Sequence, residues 1–193
     1  MKLSNLQKRL AVSSIYQPAE DTFFLADNIE NEKGETALDI GTGSGFLAKI
    51  LSNSFNLVIG TDININSLRQ QYAPIRNRIC CNAADVFSKK FDLIICNLPY
   101  LATDEIIDPA TDGGTDGFEI PSQIIKSALL HLNKHGKFIF VTSSLSNYQK
   151  LINMVNSEGF RAEILTRKKL FFEELILIPV SYTHLTLPTN REV

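Results

Sequence analysis

From residue 36 to residue 178 the chain alternates short apolar runs, each closed by turn residues, with helix-length amphipathic stretches, and that alternation leaves few folds open. Strands separated by a helix-sized segment pair in parallel through right-handed crossovers, so the pattern predicts a mostly parallel sheet with helices on both faces. Seven apolar runs mark strands near residues 36–40, 57–62, 78–83, 91–96, 137–143, 161–166 and 173–178. Amphipathic stretches mark helices near 21–30, 44–53, 64–73, 121–133 and 146–157. Gly136 and Gly159 stand where helix-ending glycines belong. The connection from Lys168 to Phe172 is too short for a crossover, so the last two strands are expected to pair as an antiparallel hairpin.

The final stretch does not continue this pattern. Residues 180–189 read as the translation of a transposon sequencing adapter, and residues 179–193 are expected to be such a scar rather than native chain. Residues 1–178 then make one domain, of a size that buries its own core. Setting aside Arg191 and Glu192 leaves the formal charge at −2, which offers no polyanion-binding footprint. Cys80, Cys81 and Cys96 lie in apolar runs with no C-x-x-C pair and no histidine at ligand spacing, so they are expected to be reduced core residues and no metal site is expected. His131 and His135 flank a helix-to-strand turn and are expected on the solvated surface. There is no signal-peptide pattern and no apolar run near the ~20 residues that a membrane span requires, which predicts a cytoplasmic protein without membrane partners.

Leu38-Asp39-Ile40-Gly41-Thr42-Gly43-Ser44-Gly45 sets a strand, a glycine turn and a helix start in succession, so that a ligand can approach the backbone and a helix N-terminus closely. A nucleotide-like ligand is implied. The dinucleotide fingerprint G-x-G-x-x-G needs glycine at position 46, where Phe46 stands. The spacing G-x-G-x-G behind an acid resembles instead the methyltransferase version, in which the loop wraps the methionine part of S-adenosyl-L-methionine. Asp62, closing the second strand, is spaced to accept hydrogen bonds from both ribose hydroxyls. Asp85 would accept from the adenine amino group with the Val86 backbone N–H beside it, or else cap a turn. The expected fold is thus α/β: a Rossmann-like seven-stranded, mostly parallel sheet with a C-terminal antiparallel hairpin.

The apolar strand Phe91 to Cys96 runs directly into Asn97-Leu98-Pro99-Tyr100, at the carboxyl edge where open sheets of this type bind ligands. An amide or ring-amino nitrogen is a poor nucleophile because its lone pair is delocalised, so it must be held in line with the group it attacks. The side-chain oxygen of Asn97 can accept one N–H of such a nitrogen and the backbone carbonyl of Leu98 the other. Pro99 fixes its own φ and restrains Leu98, and the flat face of Tyr100 can cover a planar group. No charged base is demanded, because the proton can leave once the nitrogen has been alkylated. The long polar stretch from Leu101 to Ile120 beside this turn is expected to be a functional loop.

Three further segments carry a family resemblance. Tyr16-Gln17-Pro18-Ala19-Glu20-Asp21-Thr22-Phe23-Phe24-Leu25 is similar to the N-terminal signature of the archaeal and eukaryotic release-factor glutamine methyltransferases, small relatives of the bacterial HemK enzymes. Asp112-Gly113-Gly114 with Asp116-Gly117-Phe118-Glu119, and Lys169 to Leu175, are similar to segments of the same group. The resemblance implies that Tyr16 and Thr22 contact S-adenosyl-L-methionine and that Asp39, Gly41, Gly43, Gly45, Asp62, Asp85, Val86 and Asn97 bind it. It implies that Asn97 also holds the substrate, the glutamine of the GGQ loop of a class I peptide release factor. It further implies a small zinc-containing activator subunit, expected at the apolar third strand, Ile79 to Ala84. Leu98 departs from the family, which usually has proline there, and Asn-Leu-Pro-Tyr resembles the turn of ribosomal-RNA adenine dimethyltransferases. Adenine N6 in RNA or DNA therefore stays open as an acceptor, though the acidic balance argues against nucleic acid. A lysine side chain of another protein stays open as a third acceptor, and a cofactor-binding scaffold without turnover as a role that needs no acceptor.

Overall fold

The computed structural model describes residues 17–71 and 73–183, so Tyr16 and residues 184–193 of the expected adapter tail lie outside the described residues. Along the chain run α1 (Glu20–Ile29), β1 (Gly34–Ile40), α2 (Phe46–Leu51), β2 (Phe55–Asp62), α3 (Ile65–Arg69), β3 (Asn77–Cys80) and β4 (Phe91–Asn97). They are followed by β5 (Leu101–Ala102), β6 (Asp112–Gly114), α4 (Glu119–Leu130), β7 (Leu132–Ser143), α5 (Tyr148–Ser157), β8 (Phe160–Ala162), β9 (Thr166–Lys169) and β10 (Glu174–Tyr182). The main sheet has the order β3-β2-β1-β4-β7-β10-β8, with β9 also on β10. The neighbours from β3 to β7 pair in parallel, and β10 is antiparallel to β7, β8 and β9.

Side chains alternate between the two faces, as period-2 strands must. Along β4, Ile94 and Cys96 join one apolar cluster with Ile125, Leu129, Leu151 and Val155 of α4 and α5, and Phe91 joins it across a shift of register between Phe91 and Leu93. Leu93 and Ile95 join the other, with Phe24, Leu25 and Ile29 of α1 and Leu47 and Leu51 of α2. Burial on both faces explains why these strands read as continuous apolar runs.

The sheet departs from the expected layout in particulars. It holds eight strands rather than seven, because the strand expected at 161–166 is two short ones, β8 and β9, lying in line on one side of β10. The break lies opposite Pro179. Leu177 presents its carbonyl to this side, accepting from Leu165 N–H at 3.0 Å, and two residues further Pro179 faces the same side with no N–H to donate. β10 itself continues beyond residue 178 to Tyr182, where Tyr182 packs on Phe160 with ring centroids 4.5 Å apart. Gly159 ends α5 with φ 84° as expected, but Gly136 does not end a helix. It lies inside β7, where an added Cβ would stand 2.8 Å from the Phe91 carbonyl oxygen. α3 is half the expected helix, since the chain leaves it at Gln70 and Gln71 turns back to the glycine loop.

Of the cysteines only Cys96 is buried; Cys81 is half-buried and Cys80 is exposed, on β3, which is the edge strand of the sheet among the described residues. His131 is not a solvated surface residue: its ring nitrogens lie 2.8 and 2.7 Å from the carbonyl oxygens of Ser127 and Phe87. No helix among the described residues is long and apolar enough to cross a membrane, and no group of His, Cys, Asp or Glu among them is placed to hold a metal ion.

Candidate active site

The parallel register puts the carboxyl ends of β2, β1 and β4 in one row, with Thr61 opposite Ile40 and Ile40 opposite Cys96. The residue after each of these, Asp62, Gly41 and Asn97, therefore falls along one edge of the sheet. Three sequence-predicted elements are brought together by this row alone.

The glycine loop is held by its own neighbours. Gly41, Gly43 and Gly45 all have positive φ, and Gly45 is the N-cap of α2. An added Cβ at Gly45 would meet the Ala73 carbonyl oxygen at 2.3 Å, whereas one at Gly41 would meet nothing within 4 Å. The loop is thus packed from below at Gly45 and open at Gly41. Beneath it, Asp39 is 1 % exposed, and its Oδ2 accepts from Thr42 Oγ1 at 2.8 Å and Ala48 N–H at 3.1 Å. Its Oδ1 is buried with no partner among the described residues. Burial pushes the Asp39 carboxyl up to about 7, against the pull of those two donors. Asp62 braces the loop from β2, accepting from Gly43 N–H at 2.9 Å and Asn64 N–H at 2.8 Å, and burial raises its carboxyl as well.

Asn97 closes β4, and its Oδ1 is buried with no partner among the described residues. Leu98 N–H donates to the Val141 carbonyl at 3.1 Å, which anchors the turn to β7, and the Leu98 side chain is 2 % exposed. Two loop glycines back the turn: an added Cβ would stand 2.7 Å from the Pro99 carbonyl oxygen at Gly113 and 2.3 Å from that of Tyr100 at Gly117. That close approach is the physical reason for glycine at 113 and 117, while Gly114 is required by its own φ of 74°. Asp112 organises the rest of the stretch. Partial burial opposes its charge, but N–H donation from Asp108 and Ile107, each at 2.8 Å, holds its carboxyl below the usual range.

A cavity of about 180 Å³ opens at this turn, lined by Asp21, Asn97, Leu98, Tyr100, Leu101, Ala110, Thr111 and Glu173. The Tyr100 hydroxyl lies 3.5 Å from Asp21 Oδ2. Burial, with the carboxylates of Asp21 and Glu173 nearby, pushes the Tyr100 hydroxyl far above its usual range. It is a donor, not a base, at any ordinary pH.

Asn97, Leu98 and Tyr100 all line the cavity; Pro99 is buried and does not. Thr22 is buried in the first turn of α1, its N–H and hydroxyl directed to Asp21 Oδ1. Asp85 and Val86 are exposed, and the Asp85 carboxylate is engaged by Ser127 Oγ at 2.6 Å and Asn82 Nδ2 at 3.2 Å. Both donors are side chains, and neither is the backbone N–H that a turn cap engages. Sequence reasoning missed Glu173 and Gln71. Glu173 enters the cavity from the β9–β10 hairpin; the resemblance took in its segment, Lys169 to Leu175, but gave this residue no role. Gln71 donates to the Gly43 carbonyl at 3.3 Å from a segment that reads as helix.

Fold and site define a protein of the Rossmann-like methyltransferase class. Its sequence is 36% identical over 177 residues, 85% of this chain and 90% of the relative, to a Methanocaldococcus jannaschii protein assigned as a protein N5-glutamine methyltransferase. It is 26% identical over 204 residues, covering 86% and 88% of the two chains, to the catalytic subunit of the fission-yeast eRF1 methyltransferase. Among solved structures, that of the Encephalitozoon cuniculi Mtq2–Trm112 complex superposes with a TM-score of 0.76 at 23% identity, over 88% of this chain and 99% of that one. The methyltransferase small domain model matches residues 6–171, and the chain belongs to that family.

Proposed function

We propose that this chain transfers the methyl group of S-adenosyl-L-methionine to the side-chain amide nitrogen, N5, of the GGQ-loop glutamine in a class I peptide release factor. The observation that carries the reading is Asn97 in the cavity wall with a buried Oδ1 that has no partner among the described residues. A buried acceptor without a partner disfavours the fold by roughly 1–3 kcal/mol, and an N–H of the bound substrate relieves it. The names of the relatives support the same acceptor: one is assigned to N5-glutamine and another to eRF1.

The residues present fit the cofactor. Asp39 Oδ1, buried and unpartnered, suits the ammonium of its methionine part, and the open face above Gly41 leaves room for a ligand against backbone. Asp62 would take the ribose hydroxyls, with Asp85 and the Val86 N–H at the adenine end and Thr22 at the methionine end. When bound, the cofactor supplies an electrophilic methyl group on a sulfonium. The rest falls to the chain. Asn97 Oδ1 and the Leu98 carbonyl accept the two N–H groups of the glutamine amide, which turns its lone pair toward the methyl donor. Because the second acceptor is backbone, leucine at position 98 keeps the chemistry. Tyr100 covers the planar amide and, as a permanent donor, takes no proton; the alkylated nitrogen is acidic and yields its proton to water. The open β3 edge, with Cys80 exposed, would receive a small zinc-containing activator subunit, as Mtq2 is paired with Trm112.

The test is transfer from labelled cofactor to release factor or to ribosomal RNA, with and without the activator, followed by mass spectrometry of the GGQ peptide. Methylated glutamine is the expected product; label in RNA alone would overturn the reading.

A further inference from the structure

The β9–β10 hairpin breaks a local rule and gains nothing for the fold by it. Leu170 N–H donates to the Glu173 carbonyl at 2.8 Å, which leaves Phe171 and Phe172 as the two residues of the turn. Two-residue hairpin turns favour Gly, Asn and Asp for their backbone freedom, and phenylalanine contributes nothing there unless its ring is buried. Here the rings are 91% and 86% exposed, edge to face with each other at 4.5 Å. A departure from local preference with no packing return marks a functional position.

The turn stands on a fixed base. Leu170 packs against the apolar cluster of α1 and α2, Lys168 pairs with Glu20 at the start of α1, and Ser143 Oγ donates to the Glu173 carboxylate. Ser144 and Glu174 exchange hydrogen bonds at 2.8 and 2.9 Å, and next to Ser144 stands Leu145, itself 49% exposed. The apolar tip is also continuous with the site, since Glu173, adjacent to Phe172, lines the Asn97 cavity.

We infer that Phe171 and Phe172 form a docking element for the protein that carries the acceptor residue, gripping an apolar patch beside the acceptor loop and seating that loop over Asn97. This rests on the proposed function in one respect, that the acceptor belongs to a protein. The occupant follows from the charge of the cavity wall. Asp21 and Glu173 bring two carboxylates to a lining that holds no lysine or arginine among the described residues, so a phosphate backbone is repelled where a neutral or basic peptide loop is not. Exposed aromatic side chains flanking such a cavity are the usual anchors of protein contacts.

The test uses the full chain carrying Phe171→Ala and Phe172→Ala together, assayed on intact release factor and on a short peptide spanning the acceptor glutamine. Both residues are surface-exposed, so folding is expected to be untouched, which the melting temperature checks. The KM for intact protein should rise about thirty-fold, the effect of losing an aromatic anchor, with kcat and the peptide kinetics unchanged. The conservative pair Phe171→Leu and Phe172→Leu should recover much of the loss. An unchanged KM for intact protein overturns the proposal, as does an equal loss on protein and peptide. Failure of the unaltered enzyme to label glutamine in either substrate would instead be a failure of the proposed function, and is read before any variant is compared.

Discussion

Replacing Asn97 by alanine should separate activity from stability in opposite directions. The Oδ1 atom is buried without a partner among the described residues, so the substrate-free protein carries a desolvation penalty of roughly 1–3 kcal/mol at that atom. Alanine removes it and loses the contacts of a half-buried amide, a loss of about 1 kcal/mol. The net change lies between zero and about 2 kcal/mol in favour of the variant. In a chain of this size 1 kcal/mol moves the melting temperature by about 2–4 °C, so the melting temperature should stay level or rise by a few degrees. Methyl transfer should fall by about 10²–10³ in kcat, the effect of removing one preorganised hydrogen-bond partner. Differential scanning fluorimetry without cofactor, alongside single-turnover transfer to release factor, reads both quantities. A lowered melting temperature together with lost activity would refute the reasoning, since the amide would then be holding the turn. Full activity in the variant would refute it equally.

Asp39 should make the cofactor-free protein less stable as pH rises. Its folded-state carboxyl is raised from 3.8 to about 7, so the destabilisation is absent below pH about 4, grows through the interval and reaches roughly 4 kcal/mol above pH 7. Urea denaturation between pH 4 and 8 should show this fall, and Asp39→Asn should flatten it while weakening cofactor binding. Gly41→Ala and Gly45→Ala make a contrasting pair. Each places a side chain at positive φ, which disfavours the fold by about 1–2 kcal/mol, but Gly45→Ala also drives Cβ into the Ala73 carbonyl. Thermal melts should rank Gly45→Ala as much the less stable, whereas calorimetric titration should find Gly41→Ala nearly intact in fold yet poor in cofactor binding. Tyr100→Phe should leave the shape of the pH–rate profile unchanged up to pH 10, because the hydroxyl stays protonated throughout; a lost ionisation in that profile would overturn its assignment as a donor.

What is legible in the sequence follows from how local each signal is. The glycine loop and the Asn97 turn each lie within a few consecutive residues, and the parallel register then brings them to one edge without further information. The strand count differs at Pro179, whose missing N–H interrupts a neighbour some fifteen residues away in sequence and carries no mark there. Gly136 reads as a helix end because a glycine near a helix end and a glycine beneath a crossing carbonyl look alike in one dimension. Glu173 and Gln71 are invisible for the same reason: each acts on a segment far away in sequence, across a contact that only the folded sheet creates. His131 reads as a surface residue because the Phe87 carbonyl that meets its ring is 44 residues distant.

The place of β10 in the sheet has a consequence for how the molecule assembles. It is the last strand among the described residues, yet it lies inside the sheet, between β7 and the strands β8 and β9 that precede it. As the chain emerges from a ribosome, β8 and β9 appear before the strand they must pair with, and β7 keeps an open edge until β10 arrives. Closing the sheet is therefore a late, non-local event, and the slow kind that loop-closure entropy imposes. Glu173 immediately precedes that strand, so the acidic wall of the cavity comes into being only as the sheet closes. A nascent chain can hold its glycine loop long before it has a pocket to receive a substrate.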